Sequence, residues 1–247
     1  MTSLDVSLIK VPLLVAYTVC VYKGMTPPNT GAQTTSTNTN SSLKTTALEV
    51  LGTCAALASK ALLCGVAVAE IAALLAQHYP SALSSIILGL LFTHNPPGAS
   101  AHSLTPASAV GCLLGIIGGL GRIWCHRALG RFYVWDMVIC DRHKLVTTGP
   151  YAVVRHPGYA AFVVMLSGNV LLLASTGSYF AEAGLWGAES AAGWRWATGL
   201  VMAHLAWVGA SLCWRTKDED AMLRGEFGER WEEWARRTRY RLVPLVY

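Results

Sequence analysis

The chain has 247 residues, 53% of them hydrophobic and only 13% charged, with a net charge of +5. A soluble domain carries about 25% charged residues, and the mean hydropathy here is +0.41. These values exclude an ordinary soluble globular domain and point to an integral membrane protein, with no nucleic-acid partner expected. Seven cysteines are present, Cys20, Cys54, Cys64, Cys112, Cys125, Cys140 and Cys213, most of them in apolar stretches and none in CxxC spacing. Neither a zinc site nor a disulfide framework is expected, and the thiols are read as buried small hydrophobes.

In chain order, the first apolar run extends from Leu4 to Tyr22 and is followed by Lys23 rather than a small-residue cleavage site. It is read as a transmembrane helix, not a removed signal peptide. Residues 27–46 form a polar low-complexity linker unable to bury a core, with a glycosylation sequon at Asn40-Ser41-Ser42. Residues 47–77 are rich in Ala and Leu and long enough to cross a hydrocarbon core of roughly 30 Å. They hold Lys60 and Glu70. Ionisable groups at membrane depth default to functional hypotheses. The plainer expectation is that Lys60 snorkels and Glu70 faces a polar bundle interior.

The segment 81–92 is apolar but short, a thin span or a re-entrant piece. Residues 107–124, 159–176 and 194–214 supply three further spans. The tail 217–238 opens on Asp218, Glu219 and Asp220 and carries Met222, Leu223, Phe227, Trp231 and Trp234 on one stripe. It predicts an amphipathic helix lying in the membrane interface. The predicted fold is all-α: a polytopic membrane protein with five to six transmembrane helices, a cytosolic cap and this C-terminal helix. Two parts are expected: N-terminal membrane helices over 1–106, with a polar linker at 23–46, and a core over 107–247.

Lysine and arginine placement sets the orientation. The loop 122–157 holds Arg122, Arg127, Arg131, Arg142, Lys144 and Arg155, and eight more basic residues follow from Arg215 onward. The connection 177–193 holds Glu182 and Glu189 and no Lys or Arg. Both basic segments are therefore expected in the cytosol, flanking one helical hairpin beneath which they can meet.

Within these segments, "LVTTGPYAVVRHPGYAAF" (145–162) is followed, after a hairpin, by "RTKDEDAMLRGEFGERWEEW" (215–234) and a closing "RLVP". This arrangement resembles the isoprenylcysteine carboxyl methyltransferase family. The likeness rests on Gly-Pro-Tyr, then Arg-His-Pro-x-Tyr, then an acidic pair with Phe-Gly eight residues after Glu219. It covers roughly residues 107–247, including "GGLGRIWCHRALGRFY" upstream.

The resemblance implies transfer of a methyl group from S-adenosylmethionine to the carboxylate of a prenylated cysteine. The acceptor would be a prenylated protein or a small prenylcysteine reached from the bilayer. The implied setting is the endoplasmic reticulum membrane, with the active site facing the cytosol. It places Arg122 and Arg215 at the acceptor carboxylate. Arg155, His156 and Tyr159 would shape the cofactor pocket, and Leu145, Val146, Gly149, Pro150 and Tyr151 would wrap the cofactor. Glu219 and Asp220 would engage its amino group or order the pocket.

Asp220 departs from the family's usual Glu, and Trp231 and Trp234 stand where tyrosines are usual. Physical chemistry agrees with the implied reaction. A carboxylate is already a nucleophile, so proximity and orientation carry much of the work, and arginine can hold it bidentately. Two other classes fit the residues: a membrane methyltransferase or NADPH-dependent reductase acting on a lipid or sterol, and a non-enzymatic scaffold binding anionic lipid through its basic loops.

Overall fold

The structure, a computed structural model, describes residues 3–26, 28, 42–92, 104–133, 144–182 and 192–244. The sequon at Asn40 and most of the polar linker lie outside the described residues. The described elements are all helical: α1 (Ser3–Gly24), α2 (Ser42–His78), α3 (Ala82–Leu91), α4 (Pro106–Leu129), α5 (Pro157–Ala174), α6 (Tyr179–Glu182), α7 (Ala192–Phe227) and α8 (Glu229–Arg237). Single 3₁₀ turns occur at Gly130–Phe132 and Gly149–Ala152. Three segments among the described residues are long and apolar enough to cross a membrane: Ala56–His78, Pro106–Phe132 and Pro157–Ala174.

The glycine pattern of α4 explains its central place. Lipid gives no hydrophobic drive to helix pairing, so close van der Waals approach must supply it, and small residues permit that approach. A Cβ on Gly118 would lie 2.5 Å from the Met165 backbone nitrogen, and one on Gly168 would lie 2.6 Å from the Gly111 carbonyl. The backbones of α4 and α5 therefore touch. On the other flank, a Cβ on Gly119 would sit 2.6 Å from the Cys20 carbonyl of α1. Leu14, Tyr17, Leu63, Cys112, Met165 and Leu172 fill the core between these helices. Cys112 and Cys125 are buried, as expected of small hydrophobes, whereas Cys54 is exposed.

Polar contacts mark the two ends of the bundle. At one end Arg122 of α4 donates to the Gly24 carbonyl that closes α1 and to the Gly158 carbonyl at the start of α5. We call this the cap end. Lys60 lies on the same side, bonded to Thr26 Oγ1 at 2.7 Å and resting over the Tyr22 ring. At the far end Glu70 pairs with Lys10, both fully buried. Lys10 also donates to the Gly177 carbonyl, and Glu70 accepts from the Tyr179 backbone. Glu70 thus faces the interior, but its partner is a charge within the first helix rather than a diffuse polar lining.

α3 holds only ten residues, about 15 Å of helix. A Ser81–Ser84 capping box starts it, and its last carbonyl, that of Leu91, accepts from the far-end Tyr179 hydroxyl. It begins beside the end of α2 and finishes at the same end of the bundle.

The tail departs from expectation. A single amphipathic helix was expected over 217–238; instead α7 runs on to Phe227, and α8 starts at Glu229. Gly228 between them has φ +52°, a left-handed conformation that breaks the helical path and that glycine adopts without Cβ strain. The tryptophans do not form an interface belt either. Trp231 and Trp234 are buried, because α8 folds back onto the 149–156 segment.

Candidate functional site at the cap end

The 149–159 segment is shaped by its prolines and first glycine. Gly149, at φ +63°, turns the chain into a 3₁₀ turn with Pro150 in its opening positions. Pro157 occupies the first turn of α5, where its fixed φ suits helix entry and its missing N–H costs nothing. Between these points the backbone is held by the C-terminal tail. Arg155 N–H donates to the Tyr240 carbonyl at 2.9 Å and His156 N–H to the Arg241 carbonyl at 2.8 Å. Trp234 Nε1 donates to the Tyr151 carbonyl at 3.1 Å. The tail is a strap across the Arg-His motif.

Asp220 is the hub under that strap. Its Oδ1 lies 2.9 Å from His156 Nε2, and its Oδ2 takes Arg155 at 2.9 Å and Arg241 Nε at 2.8 Å. Both oxygens are therefore engaged by protein groups. Glu219 is placed otherwise. Its Oε2 approaches His156 Nδ1 at 3.5 Å, is buried, and has no hydrogen-bond partner among the described residues. Trp231 Nε1 is likewise buried and unpartnered, as is His126 Nε2. Arg155 lies over the Trp231 ring, 5.6 Å from its centre.

Burial alone would lower the His156 pKa, but the hydrogen bond to Asp220 and the negative charges of Asp220 and Glu219 outweigh it and raise the value. Burial alone would raise the two carboxyls. The imidazolium brings Glu219 below its ordinary value, helped by the Tyr159 hydroxyl and the Arg215 charge. Asp220 is lowered by the same imidazolium with Arg155 and Arg241. Burial pushes the Tyr133 and Tyr151 hydroxyls up, and the Glu219 charge adds to both. These dependences place Glu219, Arg215, Tyr133, Tyr151 and Tyr159 in one electrostatic neighbourhood, with the Tyr159 ring stacked on His156 at 5.8 Å.

Most of the residues singled out from the sequence thus come together. Arg155, His156, Tyr159, Glu219, Asp220 and Arg215 converge, with Tyr151 beside them. Leu145 and Val146 are half-buried in the non-helical stretch that leads to Gly149. Arg122 is buried, and it is bonded to three protein oxygens: the carbonyls of Gly24 and Gly158 and, at 2.9 Å, the Tyr133 hydroxyl. That makes it a staple between α1, α4 and α5.

Sequence reading missed Tyr133, Arg241 and His126. Tyr133 closes the "GRFY" run after α4, and its ring meets His126 at 4.1 Å. Only its place at the end of a basic helix hinted at a role. Arg241 belongs to the closing "RLVP", where the proline drew attention and the arginine did not. No group of three or more potential metal ligands occurs among the described residues.

The elements among the described residues are all helical, three segments are long and apolar enough to cross a membrane, and a charged, tyrosine-lined cluster lies at one end. Residues 110–187 match the model of the Isoprenylcysteine carboxyl methyltransferase (ICMT) family. That segment is similar to the family, in line with the motifs, and the match supports a membrane methyltransferase of the isoprenylcysteine type. The matched segment includes Arg122 and the whole 145–159 stretch but ends before Arg215, Glu219 and Asp220. No curated protein and no solved structure matches the chain.

Proposed function

We propose that the protein moves a methyl group from S-adenosylmethionine to the carboxylate of a prenylated cysteine, forming a methyl ester. The observation that carries this is the meeting of 155–159 with 215–220 at the cap end of the α5–α7 hairpin, beside the family-matched segment. The donor set suits the cofactor. The buried Glu219 oxygen, which faces His156 Nδ1 at 3.5 Å without a hydrogen bond, can also take a ligand's ammonium group, and aromatic faces suit its cationic centre. When bound, S-adenosylmethionine supplies the methyl group as an activated sulfonium.

The roles divide by what each side chain already holds. Glu219, Tyr159 and His156 hold the cofactor, with the backbone of Leu145, Val146 and Gly149 to Tyr151 wrapped around it. Asp220 has no oxygen to spare, so it positions His156 and Arg155. Arg215 faces the acceptor carboxylate. Arg122, engaged with three protein oxygens, acts beside it chiefly by fixing the ends of α1 and α5. No base is required, because the acceptor carboxylate is the nucleophile; orientation carries the step.

Five crossings fit this reading: α1, α2, α4, α5 and α7, with α3 staying at the far end. The cap faces the cytosol, in the endoplasmic reticulum membrane, and the prenyl chain enters sideways from the bilayer. The test is methyl transfer by the purified protein from labelled S-adenosylmethionine to N-acetyl-S-farnesylcysteine. A base-labile labelled ester is expected. Label appearing only in phospholipid or sterol, or none at all with S-adenosylmethionine bound, would overturn the reading.

A further inference from the structure

A second polar feature lies along α4, where Trp124 also comes near the cluster's loop, its Nε1 3.9 Å from where a Cβ on Gly149 would stand. Between α1 and α4, at the cap end, runs a groove of about 350 Å³. Val19, Leu120 and Trp124 form its wall, and Lys23 and Arg127 also line it. The two helices come together where the Gly119 backbone meets Cys20, and larger side chains stand beside that contact. Val19, Leu120 and Trp124 are each about half exposed, an apolar surface suited to lipid. Lys23 and Arg127 each lie in the last turn of their helix. No ion pair among the described residues joins either cation to a carboxylate.

We propose that this groove seats an anionic phospholipid of the cap-side leaflet. Its phosphate lies between Lys23 and Arg127, and an acyl chain follows Val19 and Leu120. An apolar trough with two cations at one level and a tryptophan beside them matches that amphiphile in charge and in polarity. Basic residues near a membrane surface favour anionic lipid, and tryptophan favours the headgroup level. The reacting prenylcysteine does not fit this seat. Its carboxylate would lie beside Lys23 and Arg127, and neither Arg215 nor Glu219 lines the groove. Occupancy also bears on the site, since Lys23 precedes Gly24, whose carbonyl holds Arg122.

The test uses the full chain in vesicles of equal phosphatidylserine and phosphatidylcholine, followed by native mass spectrometry of retained lipid. The wild type should retain phosphatidylserine preferentially. Lys23→Gln and Arg127→Gln should each reduce that preference about fivefold, and the pair about 25-fold. Leu120→Trp, which fills the trough and keeps both charges, should also reduce retention. Arg230→Gln, at an exposed position of α8, should leave it unchanged. Equal retention of both lipids by the wild type would overturn the proposal. So would an Arg230→Gln effect as large as that of Lys23→Gln. Displacement of the lipid by farnesylcysteine would assign the groove to the acceptor instead. A failure of methyl transfer would leave all these outcomes readable, because none depends on turnover.

Discussion

The charge on His156 is decided by a contest between burial and two carboxylates, and the carboxylates win. Its folded pKa stands above the ordinary 6.5. The stability it contributes is therefore fully present below about 6.5 and is lost as pH rises through the raised value. Glu219 and Asp220 stand below their ordinary 4.5 and 3.8. Their share is present above those values and fades as pH falls through the lowered ones. The melting temperature of His156→Gln should thus lie furthest below wild type between about pH 4.5 and 6.5. The gap should narrow in alkali and in strong acid; a gap independent of pH would show that the cluster carries no coupled charge. Asp220→Ala leaves Arg155 and His156 without their shared partner. Removing one member of a buried ion pair costs about 3–5 kcal/mol, which denaturation in detergent should register. Arg215→Ala should act differently, cutting kcat/KM toward a prenylcysteine about 10- to 100-fold through a lost charge-assisted bond, with cofactor affinity little changed in calorimetry. Unchanged kcat/KM would place the acceptor carboxylate elsewhere.

At the scale of elements, two glycines carry opposite kinds of constraint. Gly168 is held by space, with the Gly111 carbonyl and Gly115 nitrogen both 2.6 Å from where a Cβ would stand. Gly168→Ala should force α4 and α5 apart and cost about 1–3 kcal/mol, as overpacking does. Gly65→Ala, with nothing within 4 Å of the new atom, should be neutral or slightly stabilising. Thermal unfolding of the two variants in one detergent separates these cases. Gly228 is held by conformation instead. Its surroundings are open, but its φ of +52° and ψ of −123° are strained for any Cβ residue, by about 1–3 kcal/mol. Elements of this kind were partly legible beforehand. The runs at 107–124 and 159–176 announced α4 and α5, and Arg155, His156, Glu219 and Asp220 were found because motifs keep such residues adjacent in sequence. The break at Gly228 is hidden in the sequence, since the apolar stripe continues through it and periodicity outweighs one glycine. The strap of Tyr240 and Arg241 on Arg155 and His156 could not be read at all, because backbone pairing across so many residues leaves no local pattern. Lys10 went unremarked for a related reason: one charge in an apolar run looks incidental until Glu70 of another helix meets it.

For the whole molecule, the decisive quantity is how many helices cross, because parity fixes where each loop lies. α3 is about 15 Å long, half the hydrocarbon thickness; it starts just after α2 ends, and its last carbonyl accepts from the far-end Tyr179 hydroxyl. We predict that it does not carry the chain across. α1 runs from the Lys10 level at the far end to Gly24 at the cap; α2 returns from the Lys60 level to Glu70. α4 and α5 repeat that pair, and α7 brings the chain back to Asp220 at the cap. We predict an odd number of crossings, with the N-terminus and the C-terminus on opposite sides of the membrane. From the basic residues at 122–157 and after 215 we predict that the cap faces the cytosol. Chain entering α2 from the end of α1 then starts and finishes on the cytosolic side, so the Asn40 sequon should escape glycosylation in intact cells. Single cysteines in a cysteine-free background report the rest. Thr176→Cys, exposed at the far end, and Arg236→Cys, exposed on α8, should label from opposite faces of sealed microsomes. A reporter before Ser3 should follow Thr176→Cys. Labelling of Thr176→Cys and Arg236→Cys from the same face would rule out a single crossing by α7. A glycosylated Asn40 would require α3 to cross after all, which would move the N-terminus to the cytosol and break the pairing of α1 with α4 that places Arg122.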